Sequence, residues 1–272
     1  SHVLGIMVQF PPEDIDDPLT TGRGFFLEKD TSQYSLDTTL LCSGFKVDSP
    51  PHKQSYFENQ ILAILNYYNS VSNENVDFSY SVIDSVYTDT LSMSDYAVND
   101  QMLATFFTGS IVMAKKEIED EIDRLKEEIG LNVDDVNDVL LVVFHAGMGQ
   151  DFSVPFIDPT SHDLKSAYVD DEMLEGLQLA QIDDLEINRG IVLPETQNML
   201  YYDVVQDIFP ETDDLCDIQV GLTGTFALLM GYALGLPPLF NTESGMAGVG
   251  VFGLMDHGSN NGRGVIPAPP TA

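Results

Sequence analysis

A layered α/β (α+β) domain is the fold class that the sequence predicts, on three observations. Residues 138–145, DVLLVVFH, form a continuous apolar run of strand length, the kind buried on both faces of a sheet. Two segments, 56–68 and 111–129, repeat apolar residues at helical spacing. Extended and helical patterns alternate along the chain, which stacks helices on a sheet instead of in a bundle.

Each element follows from its residues. VLGIMVQF, Val3 to Phe10, is a short apolar run stopped by Pro11 and Pro12, and reads as a buried strand. The acidic stretch Glu13 to Asp48 reads as loops and short strands. In YFENQILAILNYY, residues Phe57, Ile61, Ile64, Leu65 and Tyr68 share one helical face. Val76 to Val86 is rich in β-branched and aromatic residues and predicts a strand. Ile118, Ile122, Leu125 and Ile129 form the stripe of the helix 111–129. Lys115 with Glu119 and Asp120 with Arg124 offer pairs four residues apart, and Gly130 ends the helix. After strand 138–145 come the turn Ala146-Gly147-Met148-Gly149, an acidic loop through Asp158 and Asp163, an expected helix near Asp171 to Ala180 and a short strand around Gly190 to Leu193. There is no internal repeat.

Composition narrows the function classes. The chain has 272 residues, 43% of them hydrophobic, enough to bury one large core. The expected organisation is a single domain over 1–272, with a sheet-and-helix part to about 220 and a distinct C-terminal part from about 221 to 272. Eleven Lys and Arg against 44 Asp and Glu give 11 − 44 = −33, which repels nucleic acid and anionic lipid. Such an excess has two ordinary origins, a solvated acidic surface suited to salty surroundings or oxygen ligands for calcium. No run of about 18 uncharged apolar residues exists, so no membrane span is expected. The chain opens directly on strand-like Ser1-His2-Val3-Leu4 without the charged and apolar regions of a signal peptide, so a mature or excised fragment is expected. Cys42 and Cys216 are either disulfide-bonded or two buried thiols, and are too few for a zinc thiolate site.

The stretch 225–259 is the most specific. Thr223 or Thr225 is placed to cap a helix running to about Leu234, Gly235 to end it in a left-handed conformation, and Pro237-Pro238 to forbid its continuation. Phe226, Ala227, Leu228, Leu229, Met230, Ala233 and Leu234 leave it no polar face, which predicts a buried central helix. A loop with Gly245, Gly248, Gly250 and Gly253 follows, and Met255 is expected at a tight turn.

This order of parts, GYALGLPPLFNT followed by GVGVFGLMDHGS, resembles the active-site helix, Gly-Leu-Pro turn and methionine turn of the immune inhibitor A family of secreted zinc metallopeptidases. VLGIMVQFP, NYYNSVSNENVDFSYSV and LLVVFHAGMGQDFS resemble further segments of that family. The resemblance implies a zincin-like (metzincin-like) metallopeptidase fold: a layered mixed sheet with an active-site-type helix and a Met-turn. It also implies a secreted, extracellular or cell-surface protein. The active pattern HExxHxxGLPD places the first zinc histidine on Leu228, the catalytic glutamate on Leu229, the second histidine on Tyr232 and the third ligand on Pro238. All four functional residues are replaced. In the active pattern two imidazoles four apart hold the metal on one helix face, and the glutamate takes a proton from metal-bound water. Leucine and proline offer no donor atom, so neither zinc nor catalysis is expected. The resemblance thus implies a pseudoenzyme serving as a binding or structural module.

Other clusters leave rival readings open. None of the five histidines, His2, His52, His145, His162 and His257, lies four residues from another. Asp256 and His257, with His145, could compose a rebuilt hydrolase site, against the readings of a solvent-exposed turn and of a histidine bonded to its own backbone. Asp158, His162 and Asp163 could hold a cation, as could the sets at Asp134-Asp135-Asn137-Asp138, at Asp170-Asp171-Glu172 and at Asp213, Asp214 and Asp217; solvated acidic loops are the simpler reading of each. Calcium is therefore a possible cofactor through Asp158, Asp163, Asp213, Asp214 or Asp217, in a calcium-stabilised surface or filament component. A protein partner or self-assembly is expected, without nucleic acid. No Gly-x-Ser-x-Gly elbow or phosphate loop is present.

Overall fold

Period-two burial sets the centre of the molecule. Along β3 (Val139–Met148), Leu141 and Val143 enter one apolar layer while Leu140, Val142 and Phe144 enter the other. β1 (His2–Gln9) alternates likewise, sending Leu4, Ile6 and Val8 one way and Val3 and Met7 the other. Both strands are covered on both faces, as their continuous apolar sequences require. The computed structural model describes residues 1–13, 19–21, 24–28, 46–76, 78–133, 138–152, 158, 160–202 and 215–271.

The five-stranded sheet has the order β2-β1-β3-β7-β4, with β2 at Ser79–Thr88, β4 at Ala167–Val169 and β7 at Gly190–Thr196. β1, β2, β3 and β7 run parallel, and β4 lies antiparallel on the edge beside β7. Two small antiparallel hairpins, β5 (Ala180–Ile182) with β6 (Leu185–Ile187) and β8 (Met199–Tyr202) with β9 (Leu215–Ile218), stand apart from it. The fold is therefore mixed α/β with a mostly parallel sheet.

Helix α1 (Gln54–Val71) buries Phe57, Ile61, Ile64, Leu65 and Tyr68, the face its spacing predicts. A short α2 (Met93–Tyr96) precedes α3 (Asp100–Ile129), which begins eleven residues before the predicted start. There the Asn99 side chain accepts from Met102 N at 2.9 Å. Gly130 ends α3 in the left-handed conformation at φ 68°. The Lys115–Glu119 pair forms at 2.8 Å, but Asp120 and Arg124 do not meet. Asp120 pairs with Lys116, and Arg124 takes Glu121 and Glu128, because acidic residues on both sides compete for few cations. α3 covers one face of the sheet; α1 and α4 (Leu222–Ala233) cover the other.

Three further expectations are corrected. Residues 171–180 are not a helix: Asp170 Oδ1 accepts from Glu172 N and Met173 N, both at 3.1 Å, and holds a single turn. Gly176, at φ 82°, then breaks it before β5. The strand predicted from Val76 begins at Ser79. Neither Thr223 nor Thr225 caps α4, whose N-cap is Gly221. Instead Asp48 Oδ2, from far upstream, accepts from Leu222 N at 2.8 Å, placing a carboxylate at the positive end of the helix. The opposite end is as expected: Gly235, at φ 81°, follows the last turn. Gly235 N donates to Tyr232 O and Leu236 N to Gly231 O, each at 2.9 Å, a Schellman arrangement.

The charge-poor segment after α4 folds into loops and short 3₁₀ turns that leave Met246, Phe252 and Ile266 at least 70% exposed. Among the described residues, no helix is long and apolar enough to cross a membrane.

Candidate functional site

The resemblance places the site where α4 meets the C-terminal loops, and a cleft of about 250 Å³ lies there. One wall comes from α4, through Thr225, Leu228 and Leu229; the others come from Asp151, Phe152 and Ser166, and from Phe240, Gly245, Asp256, His257, Ser259 and Asn260. Met255 lies in a turn under α4 and is buried. A Cβ on Gly231 would stand 2.5 Å from its sulfur, so the helix lies closely on the methionine at a position that carries no side chain. Leu239 N donates to Met255 O at 2.8 Å, joining the segment after Pro238 to the same turn.

The four positions of the active pattern diverge in their surroundings. Leu228 is half-buried and Leu229 buried on the cleft wall. Tyr232 turns to β4 and stacks on Tyr168 with ring centroids 6.3 Å apart. Burial raises its phenol above the usual range, so it is a neutral hydroxyl at neutral pH. Pro238 is exposed. These side chains do not fit a zinc ion: two hydrocarbon chains, a neutral phenol and a proline supply none of the imidazole or carboxylate donors that tetrahedral zinc takes. Among the described residues, no three of His, Cys, Asp and Glu gather where they could hold a metal.

Asp256 reaches the cleft but is fully engaged. Its Oδ2 accepts from Gly248 N at 2.8 Å and from Val249 N and Gly250 N at 2.7 Å, while Oδ1 accepts from His257 N at 2.8 Å. Burial opposes its ionisation, yet these four backbone donors outweigh that and hold its carboxyl below the ordinary range. It is the anchor of the glycine-rich loop. Gly248 is required beside it, since a Cβ there would stand 2.1 Å from Leu239 O. The His257 ring is half exposed, with Nε2 3.8 Å from Asp256 Oδ1.

His145 is not brought to this cleft. It follows Leu141 and Val143 onto the α3 face of the sheet and lies against Phe10 and Phe106. Its Nδ1 donates to Ala146 O at 3.0 Å, the backbone bond foreseen for it, and burial lowers its pKa to about 4. The structure therefore gathers Asp256 and His257 and leaves their third candidate partner on the other side of β3.

The acidic loop also resolves into separate roles. His162 is exposed, whereas Asp163 is buried with Oδ1 accepting from Thr21 N at 2.7 Å. Desolvation pushes the Asp163 carboxyl well above its usual range. Asp158 spends one oxygen on Thr160 N and Oγ1, both at 2.8 Å, and the other on Gln150 Nε2 at 3.0 Å. Asp170 serves its turn. Asp134, Asp135, Asn137, Asp213, Asp214 and Cys42 lie outside the described residues, as do the side chains of Asp217 and Cys216.

Sequence reasoning missed Asp151 and Ser166. Ser166 N and Oγ donate to the Asp151 carboxylate at 2.9 and 2.6 Å, and Gln197 Nε2 donates to it as well. Their only sequence signal is the position of Asp151 just after the apolar strand, which points to the sheet end where ligands gather. The network binds the loop after β3 to β4. Compared with protein-family models and with curated proteins, the chain matches none.

Proposed function

We propose that this chain is a catalytically inactive, zincin-like metallopeptidase domain, kept as a binding or structural module of an extracellular protein. The observation that carries the reading is the pair Leu228 and Leu229 on the cleft wall. In the resembled pattern these positions supply a zinc ligand and the general base, and here they supply neither. Three features support the frame around them: the Schellman end of α4 at Gly235, the buried Met255 turn beneath Gly231, and a sheet whose single antiparallel strand, β4, borders the cleft. The two carboxylates in the cleft are engaged in holding loops, Asp256 by four amides and Asp151 by Ser166 and Gln197.

The test is elemental analysis of the purified chain together with an assay against an unfolded protein substrate. The expected result is no stoichiometric zinc and no hydrolysis. One tightly bound zinc per chain, with proteolysis abolished by a chelator, would overturn the proposal.

A further inference from the structure

The sheet has a second edge, β2, at the end away from the cleft. Ser79 N donates inward to Ser1 O at 3.2 Å, so Ser79 and Ser81 turn their backbone groups toward β1, and Tyr80 and Val82 turn theirs outward. Val82 O accordingly accepts from Gln54 Nε2 at 2.7 Å, from the first turn of α1 and outside the sheet. The N–H groups of Tyr80 and Val82 have no partner among the described residues. Val82 is only 4% exposed, so the edge is open chiefly at Tyr80, and an unpaired edge is a template for another strand.

A groove of about 520 Å³ runs over this edge between α1 and α3. Its charged lining is Glu58 from α1, Asp84 from β2, and Glu117, Asp120, Glu121 and Arg124 from α3, giving 1 − 5 = −4. Arg124 is already paired with Glu121 at 2.6 Å, and Asp120 with Lys116. Glu58 and Asp84 have no ion pair among the described residues. A second copy of this chain, at −33, would meet like charge here, so the carboxylates bar self-pairing. A cationic strand would meet the opposite.

We propose that β2 and its groove take an extended, lysine- or arginine-bearing segment of a protein partner as an added strand. Its main chain meets the outward groups of Tyr80 and the N–H of Val82, whose carbonyl stays with Gln54. Its side chains alternate between the α1 wall, which carries Glu58, and the α3 wall, which carries Glu117 and Asp120. This surface is separate from the cleft, so the inference stands whichever way the zinc and proteolysis measurements fall.

The test uses the full chain and three probes: an acetylated, amidated octapeptide alternating lysine and valine, the same peptide with glutamate for lysine, and spermine. Binding is measured by calorimetry, and amide hydrogen exchange is followed at Tyr80 and Val82. The lysine peptide is expected to bind and to slow exchange at both amides by about tenfold or more. The glutamate peptide is expected not to bind, and spermine not to protect the amides. Raising the salt to about 0.5 M, or combining Glu58→Gln, Asp84→Asn and Glu117→Gln, is expected to weaken peptide binding about tenfold. Four outcomes would each overturn the proposal: no binding of the lysine peptide at millimolar concentration, equal binding of both peptides, binding without protection of Tyr80 and Val82, or binding indifferent to salt. The salt series keeps the test decisive even if the triple variant folds poorly.

Discussion

His52 and Glu195 meet 2.7 Å apart with both side chains 1% exposed, and they tie the segment before α1 to the end of β7. Glu195 Oε1 also accepts from Leu27 N at 2.5 Å, and Oε2 from Gly147 N at 3.0 Å. The other ring nitrogen of His52 faces Asp48 O at 2.8 Å, and Asp48 in turn caps α4. One carboxylate thus gathers donors from three separated stretches of chain.

Glu195→Ala leaves those buried donors without an acceptor, and is expected to cost about 3–5 kcal/mol of stability. Glu195→Gln restores one acceptor oxygen and should recover part of the loss. Urea unfolding of the three proteins checks the order. A cost below about 1 kcal/mol for Glu195→Ala would show the network to be dispensable.

Gly224 lies in α4 against the C-terminal loop, where its N–H donates to Gly264 O at 2.7 Å. A Cβ there would stand 2.0 Å from Ser259 O and 2.9 Å from Gly264 Cα, both backbone atoms that cannot turn aside. Gly224→Ala is therefore expected to cost about 3 kcal/mol or more and to loosen the loop from the helix. Gly109→Ala, at an α3 position where a Cβ meets nothing within 4 Å, is the control and should stabilise slightly. Thermal melts compare the two.

His145 is buried neutral, with its pKa lowered to about 4 from an unfolded value near 6.5. Between these values the unfolded chain binds more protons, so stability rises with pH across this window, by roughly 3 kcal/mol in all. Below the folded value the contribution levels off. His2, buried beside Ser79 and Ser81 and also lowered to about 4, acts with the same sign. His145→Phe should therefore reduce the slope of stability between pH 4 and 6.5 without abolishing it, as measured by denaturant unfolding across that range.

Asp163 has the opposite sign. Its folded pKa is raised, so above the unfolded value of about 3.9 the unfolded chain releases its proton first and stability falls as pH rises. Asp163→Asn keeps an oxygen for Thr21 N and removes that fall. The variant should match or exceed the parent in stability at pH 7, with no gain below pH 4. Melting with calcium and with a chelator should give the same temperature for both proteins. A calcium-dependent loss confined to Asp163→Asn would instead assign a cation to this loop.

What was legible in the sequence was whatever repeats locally. The alternation in β1 and β3, the stripe of α1, and Gly130 and Gly235 just past their helices all act over a few residues, and sequence spacing records such effects. The cap of α4 was not legible, because its acceptor, Asp48, is set by the tertiary path and Thr223 and Thr225 were the local alternatives. The turn at 170–177 has apolar residues at helical spacing but also a capping aspartate and Gly176, and the breakers prevailed. β4 is three residues long, too short to show a period, although it sets the edge beside the cleft. Asp151 and Ser166 meet through loops that carry no pattern at all.

The loops after α4 are the charge-poor part of the chain. From Gln219 to Thr271 the charged residues are Glu243, Asp256 and Arg263, with Asp256 buried, while the whole chain carries −33. Phe252 and Ile266 are exposed there, so apolar surface meets solvent where like-charge repulsion guards it least.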